Sequence, residues 1–428
     1  MAQDRLSIKP DAADAASRTL LRVVVACSIA FIVFGLMVDP IPEILQGLVA
    51  ILLTRDSLIT DYMGVGGIGA ASVNAGLLGL VACGLFYRYR TAVSGGAMAC
   101  LFLLIGFGLF GKNLLNIWPI IAGVWLSARI RRADFGSQLP VALFSCALAP
   151  IVTEILFSTS IGLAVSIPLS LITGLLLGFV VPSAATQLFR AHDGFNLYNL
   201  GFTAGIVGTL VVALYKSYGF VPDPVMIWTT GNNALLLAFS LPFLGGLVLT
   251  GCLLDSCALR SLRSLVQSPG RAPSDFVAIY GIGPTLVNMG LSGLVALAYL
   301  LLIHADLNGP TLGGLFTVVG FAAYGKHPLN ITPIILGVAL GSIAKPWSLT
   351  DPSTVLASLF GTSLAPIAGQ FGWVWGVVAG FIHSSAVRTV GFNHAGLNLY
   401  NNGFAAGLVA ATLVPVISLA GQQGKPRC

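Results

Sequence analysis

The sequence is written twice. YMGVGGIGAASVNAGLLGLVACGL at 62–85 reappears as FVAIYGIGPTLVNMGLSGLVALAY at 276–299, and FGLFGKNLLNIWPIIAGVWL at 107–126 as FAAYGKHPLNITPIILGVAL at 321–340. Both pairs keep one offset of 214 residues, which sets Asp61 against Asp275, Asn74 against Asn288, Lys112 against Lys326 and Asn116 against Asn330. SCALAPIVTE at 145–154 matches TSLAPIAGQ at 362–370, placing Glu154 opposite Gln370. HDGFNLYNLGFTAGIVG at 192–208 matches HAGLNLYNNGFAAGLVA at 394–410 at an offset of 202. A repeat carried this far requires two like units that pack on one another. The units run over 20–216 and 232–421, joined by a linker at 217–231 and flanked by tails at 1–19 and 422–428.

What surrounds the units follows from composition. Of the 428 residues 56% are hydrophobic and only 8% charged, with a mean hydropathy of +0.92. Soluble domains carry about 25% charged residues. So apolar a chain cannot cover a surface that faces water, which excludes a soluble enzyme, a nucleic-acid binder and a disordered scaffold. It belongs in a lipid bilayer as an all-α protein. The seven cysteines form no CxxC and sit mostly in apolar runs, where they act as packing residues with no disulfide framework or metal site. The run from Leu20 to Val38 lacks a small-residue cleavage site and is expected to be a retained first helix.

Lysine and arginine set the orientation. Arg88, Arg90, Arg129, Arg131 and Arg132 fall in loops of the first unit whose counterparts in the second, 304–309 and 344–351, hold only Lys345. The segment at 255–274 reverses the asymmetry, with Arg260, Arg263 and Arg271 against Arg55 alone at 40–60. Inverting the second unit resolves both. With both termini cytoplasmic, 15 of the 21 basic residues lie inside and four outside, the remaining two being Lys112 and Lys326. The expected location is the cell inner membrane. A full crossing takes about 20 apolar residues, and the runs flanking Lys112 and Lys326 are shorter. Five spanning helices plus one re-entrant hairpin per unit is the expected architecture. Seven spanning helices per unit satisfies the same parity and stays open.

Three polar constellations interrupt the apolar runs. The first is GKxxxNIxPII, at Gly111–Ile121 and Gly325–Ile335. A lysine within the membrane faces a cavity or a partner. Lys112 and Lys326 would hold an anionic group or replace a coupling cation, with Asn116 and Asn330 beside them at the start of the second half-helix. Against this stands snorkelling of each lysine to water. The second is HxGxNLYNxGFxAG. Asn196 and Asn199, and likewise Asn398 and Asn401, are three apart and would share one helix face as donors and acceptors for a polar solute. The glycines read as close-packing residues, and His192 and His394 as residues of a wet loop rather than a proton relay. The third is Asn74 and Asn288, each a lone amide in an apolar helix that either joins helices or touches the solute. Asp61 and Asp275 suit N-cap positions, with ion coupling as the lesser reading. Glu154 is the candidate protonatable carboxylate if the site is asymmetric. His304, His327 and His383 are assigned no role.

With these repeats, the chain resembles a family of internally duplicated prokaryotic membrane proteins described only as a domain of unknown function. The resemblance covers both units and implies no activity, cofactor or site residue. Its architecture is also loosely similar to elevator-type carriers and to urea-transporter channels, without the Ser-Asn-Thr motif of the former or a signature of the latter. No P-loop, HExxH or GxSxG is present, and no GxGxxG follows a strand. The expected function is a secondary carrier or facilitator for a small polar solute, anionic or amide-bearing, bound near the midplane between the repeats and driven by Na+ or H+ or by neither. A passive channel is the alternative. An intramembrane enzyme using Lys112, His192 or Glu154 is the third reading. No cofactor, metal or nucleic acid is expected, and a homo-oligomer is left open.

Overall fold

A computed structural model describes residues 10–222 and 225–423, so the outer parts of both tails and two residues of the linker lie outside the described residues. Among the described residues every regular element is helical. The first unit comprises α1 (Pro10–Val38), α2 (Ile41–Leu53), α3 (Tyr62–Arg88), α4 (Gly95–Phe107), α5 (Trp118–Ile130), α6 (Phe135–Ser145), α7 (Ala149–Leu156), α8 (Leu163–His192) and α9 (Asn199–Ser217). The second repeats that order as α10 (Asn233–Leu254), α11 (Ala258–Leu265), α12 (Phe276–Tyr280), α13 (Ile282–Leu302), α14 (Gly309–Phe321) and α15 (Pro328–Ile343). It closes with α16 (Pro352–Phe360), α17 (Ala365–Phe371), α18 (Trp373–Val390) and α19 (Asn401–Gln423). The chain is thus an all-helical, duplicated membrane protein.

Helix α1 starts at Pro10, ten residues before the expected Leu20. Proline suits the first turn of a helix, and the alanine-rich stretch after it is a strong helix former. Nine stretches among the described residues are long and apolar enough to cross a membrane, five in the first unit and four in the second. Helix α18, the counterpart of α8, is not one of them, because its last turns carry His383, Ser384, Ser385, Arg388 and Thr389. Nine of the ten expected spans thus meet that length and hydropathy among the described residues. Helices α4, α5 and α14 have 13 residues each and α15 has 16. At 1.5 Å per residue they reach roughly 20–24 Å, short of a hydrocarbon core of about 30 Å.

The repeats share their irregularities as well as their helices. Gly67 and Gly281, at the offset of 214, both take φ 89°, which kinks α3 and separates α12 from α13. The α6–α7 and α16–α17 stretches both break at LAP through a 3-10 turn, with a proline opening the second segment. Proline supplies no N–H there, so the ladder ends and restarts.

The short helices form the centre. Every residue of α14 is buried, and all of α4 except Gly96. These two run antiparallel. Gly95 N at the start of α4 donates to Asp275 Oδ1 (3.0 Å), beside Ala323 just beyond α14. At the other end Gly309 N, at the start of α14, donates to Asp61 Oδ1 (3.1 Å) beside Leu109. Between those ends Gly106 meets Gly313 and Gly320 meets Ala99 with no room for a Cβ, so the backbones approach closely. The long helices α1, α8 and α10 lie outside and expose apolar side chains such as Val33, Leu171 and Leu249, as lipid contact requires.

Candidate functional site

Each GK tip turns on a left-handed glycine, Gly111 (φ 78°) and Gly325 (φ 118°), where a Cβ would be strained. The turn sends the following lysine inward. Lys112 and Lys326 are both 0% exposed, so neither snorkels to water. Their tyrosine partners are exchanged between the units. Lys112 Nζ donates to the hydroxyl of Tyr400, and Lys326 Nζ to the hydroxyl of Tyr198 (2.5 Å) and to Thr362 Oγ1 (2.8 Å). Aromatic rings box both: Phe107 and Tyr400 around Lys112, Phe321 and Tyr198 around Lys326. Such faces favour a cation.

The tyrosines sit where the units cross. Helices α9 and α19 meet at Gly201 and Gly403, and each glycine packs on the other unit's tyrosine. The adjoining backbone is exchanged as well, with Leu197 N donating to Ser363 O (3.0 Å) and Leu399 N to Ala147 O (2.9 Å).

The asparagines hold this layer in place. Asn74 Nδ2 donates to Gly108 O (2.7 Å) and Lys112 O (2.9 Å), and Asn288 Nδ2 to Ala322 O (2.7 Å) and Lys326 O (2.8 Å). Their glue role is what the structure contains. Asn116 Nδ2 bonds Gly111 O (3.1 Å) and Asn330 Nδ2 bonds Gly325 O (2.9 Å), closing each tip. Helices α9 and α19 begin at Asn199 and Asn401, so Asn196 and Asn398 precede them and share no helix face with the second asparagine. Asn196 bonds Tyr198 N (3.0 Å) and Gly403 O (3.0 Å), and Asn398 bonds Tyr400 N (3.0 Å). His192 and His394 lie in no wet loop: both are buried, with Nε2 on Asn199 (3.0 Å) and Asn401 (2.9 Å). Asp61 and Asp275 cap their helices through Met63 N and Ala278 N, and they also cap α14 and α4 of the other unit.

One cluster escapes the sequence pattern because it has no repeat partner. Asp56, in the segment between α2 and α3, is buried and accepts from Tyr62 OH (2.7 Å), Asn116 Nδ2 (2.9 Å) and Thr153 Oγ1 (3.0 Å). Burial pushes its carboxyl up to about 7, against the pull of those three hydrogen bonds. Its counterpart is Gly270. Glu154 lies on the neighbouring turn, buried and 3.7 Å from Arg55, while Gln370 is exposed. The site is asymmetric here.

Two cavities approach the tyrosine layer from opposite ends of the α4–α14 pair. The first, about 330 Å³, lies by Ser94 and Ala272 and reaches Tyr198 and Tyr400. The second, about 510 Å³, lies by Leu58, Lys216 and Ser353 and ends at Asn401 and Asn402. They are lined by equivalent positions: Asn199 and Asn401, Leu200 and Asn402, Ala272 and Leu58, Pro140 and Leu356. A void of about 10 Å³, lined by Leu103, Phe107, Tyr198, Phe360, Tyr400, Asn402 and Gly403, shares residues with both. Among the described residues no group of three His, Cys, Asp or Glu side chains is placed to hold a metal ion.

A family model described as "Protein of unknown function (DUF1576)" matches the chain twice, over residues 41–217 and 255–419. No curated protein and no solved structure matches.

Proposed function

The chain belongs to this family of unknown function, and from the geometry of its two cavities we propose that it is a membrane carrier or facilitator for a small polar solute, anionic or amide-bearing. The carrying observation is the pair of equivalent cavities, aimed at one buried layer from opposite ends and kept apart by a constriction in which four of the seven lining residues are aromatic. On this reading the two units are inverted in the bilayer, which agrees with the antiparallel α4 and α14. The short pairs α4–α5 and α14–α15 are re-entrant hairpins, tolerated because their free backbone groups are buried in protein. The first cavity then faces the cytoplasm, the side of Arg88, Arg90, Arg190 and Arg271. It reaches the tyrosines whereas the second does not, so the conformation is open inward. A carrier suits such a constriction better than a permanent pore does. Neither catalysis nor a cofactor enters this reading.

Exchange in reconstituted vesicles tests it. Vesicles preloaded with one solute from a panel of small carboxylates, phosphate, urea and acetamide are given the same solute, labelled, outside. A carrier gives saturable uptake that rises with preloading. Uptake of every solute no faster than into empty vesicles contradicts the proposal.

A further inference from the structure

We infer that the first cavity binds a small anion, with the phenols of Tyr198 and Tyr400 as its direct donors and the ammonium groups of Lys326 and Lys112 as the charge behind them. This rests on the transport reading for its purpose and selects between the two solute classes left there.

The argument runs through hydrogen-bond supply. An ammonium has donors only, so in each Lys–Tyr pair the phenol oxygen accepts and the phenol hydrogen is left to present elsewhere. Both tyrosines line the first cavity. Of the other polar groups of that lining, the two asparagine amides are already committed, and the side chains of Ser94 and Tyr324 lie together beside Gly96. Asn196 spends its amide on Tyr198 N and Gly403 O, Asn199 on His192 and Ala185 O, and Ser94 Oγ on Ala97 N. Where the lysines stand, the lining offers this pair of phenol donors. A neutral amide needs acceptors for its own N–H groups as well, and an anion does not.

Charge points the same way. No acidic side chain lines the cavity among the described residues. Among the same residues neither Lys112 nor Lys326 has a carboxylate within ion-pairing distance, and both are fully buried. A buried charge without a counter-ion is costly. An anion against the phenols offsets that cost at the distance of one hydroxyl, and each phenol polarised by its lysine is a stronger donor than a free one. At roughly 30 Å³ for a water molecule, a cavity of about 330 Å³ admits a solute of about ten non-hydrogen atoms. Small carboxylates and phosphate fit within it.

Melting of the full chain in detergent against sodium formate, acetate, lactate, succinate and phosphate, with urea and acetamide as neutral counterparts, tests the inference. At least one of these anions should raise the melting temperature saturably, as binding to the folded state does, and the amides should not. Tyr198→Phe and Tyr400→Phe each remove one donor to a charged ligand and should weaken the response at least about tenfold. Lys326→Met and Lys112→Met should abolish it while melting no lower than the wild type without anion, since the unpaired charge is gone. Stabilisation by amides but by none of these anions, no response to any of them, or Tyr→Phe and Lys→Met variants that respond like the wild type overturns the inference. An anion that binds but is not carried into vesicles contradicts the transport reading and leaves the site standing. Carrier-mediated uptake of urea or acetamide without anion binding does the reverse.

Discussion

At the scale of single residues, the two lone amides show how far local sequence reaches. Asn74 and Asn288 stand in apolar helices, so a polar partner was required, yet nothing near them in sequence says whether it is solute or backbone. The partners lie 34 and 38 residues away, on the turn of each hairpin. Removing one therefore strands two carbonyls. Asn288→Ala should destabilise the protein by about 1–3 kcal/mol, the cost of buried carbonyls left unpaired, and lower the melting temperature without shifting the elution volume. Unchanged melting would mean that Ala322 O and Lys326 O find other donors. The tyrosines were harder still to read. Their lysines come from the other unit, 288 and 128 residues away, and a sequence pattern registers only that a tyrosine sits between two asparagines.

At the scale of elements, hydropathy and run length gave the long apolar spans and the short runs around each GK, but not the kinks at Gly67 and Gly281 or the breaks at LAP. Helix starts were less legible. The spacing of Asn196 and Asn199 fits one helical face, but Asn196 bonds the backbone of Tyr198 and holds the chain out of the helix until Asn199. The segment between α2 and α3 enters the sequence reading only through Arg55 in the charge comparison, and it folds inward to place Asp56 against the first GK turn. That burial has a sign. A carboxyl raised from 3.8 to about 7 binds its proton more tightly in the folded state, so its contribution to stability is complete below pH 4 and is lost as pH rises through 7. The wild type should melt higher at pH 5 than at pH 8, and Asp56→Asn should flatten that difference. A mutant with the wild-type pH profile would show that Asp56 ionises freely in the folded protein.

For the whole molecule, the duplication is the property from which most else follows. It was visible in sequence because both copies keep their glycines, prolines and asparagines at fixed offsets. The crossing of the copies was not visible, since it depends on long-range packing: α4 and α14 are each capped by the other unit's aspartate and each lysine is held by the other unit's tyrosine. Neither unit completes the central layer alone. The two cavities are related by the repeat, and the proposed function has them open to opposite sides of the membrane. Single cysteines at Val141 in the first cavity and Ser353 in the second, in a chain freed of its own cysteines, can be reacted with a membrane-impermeant thiol reagent in oriented vesicles. The inverted arrangement predicts labelling of Val141→Cys from the cytoplasmic side only and of Ser353→Cys from the opposite side only. Labelling of both from one side would contradict it.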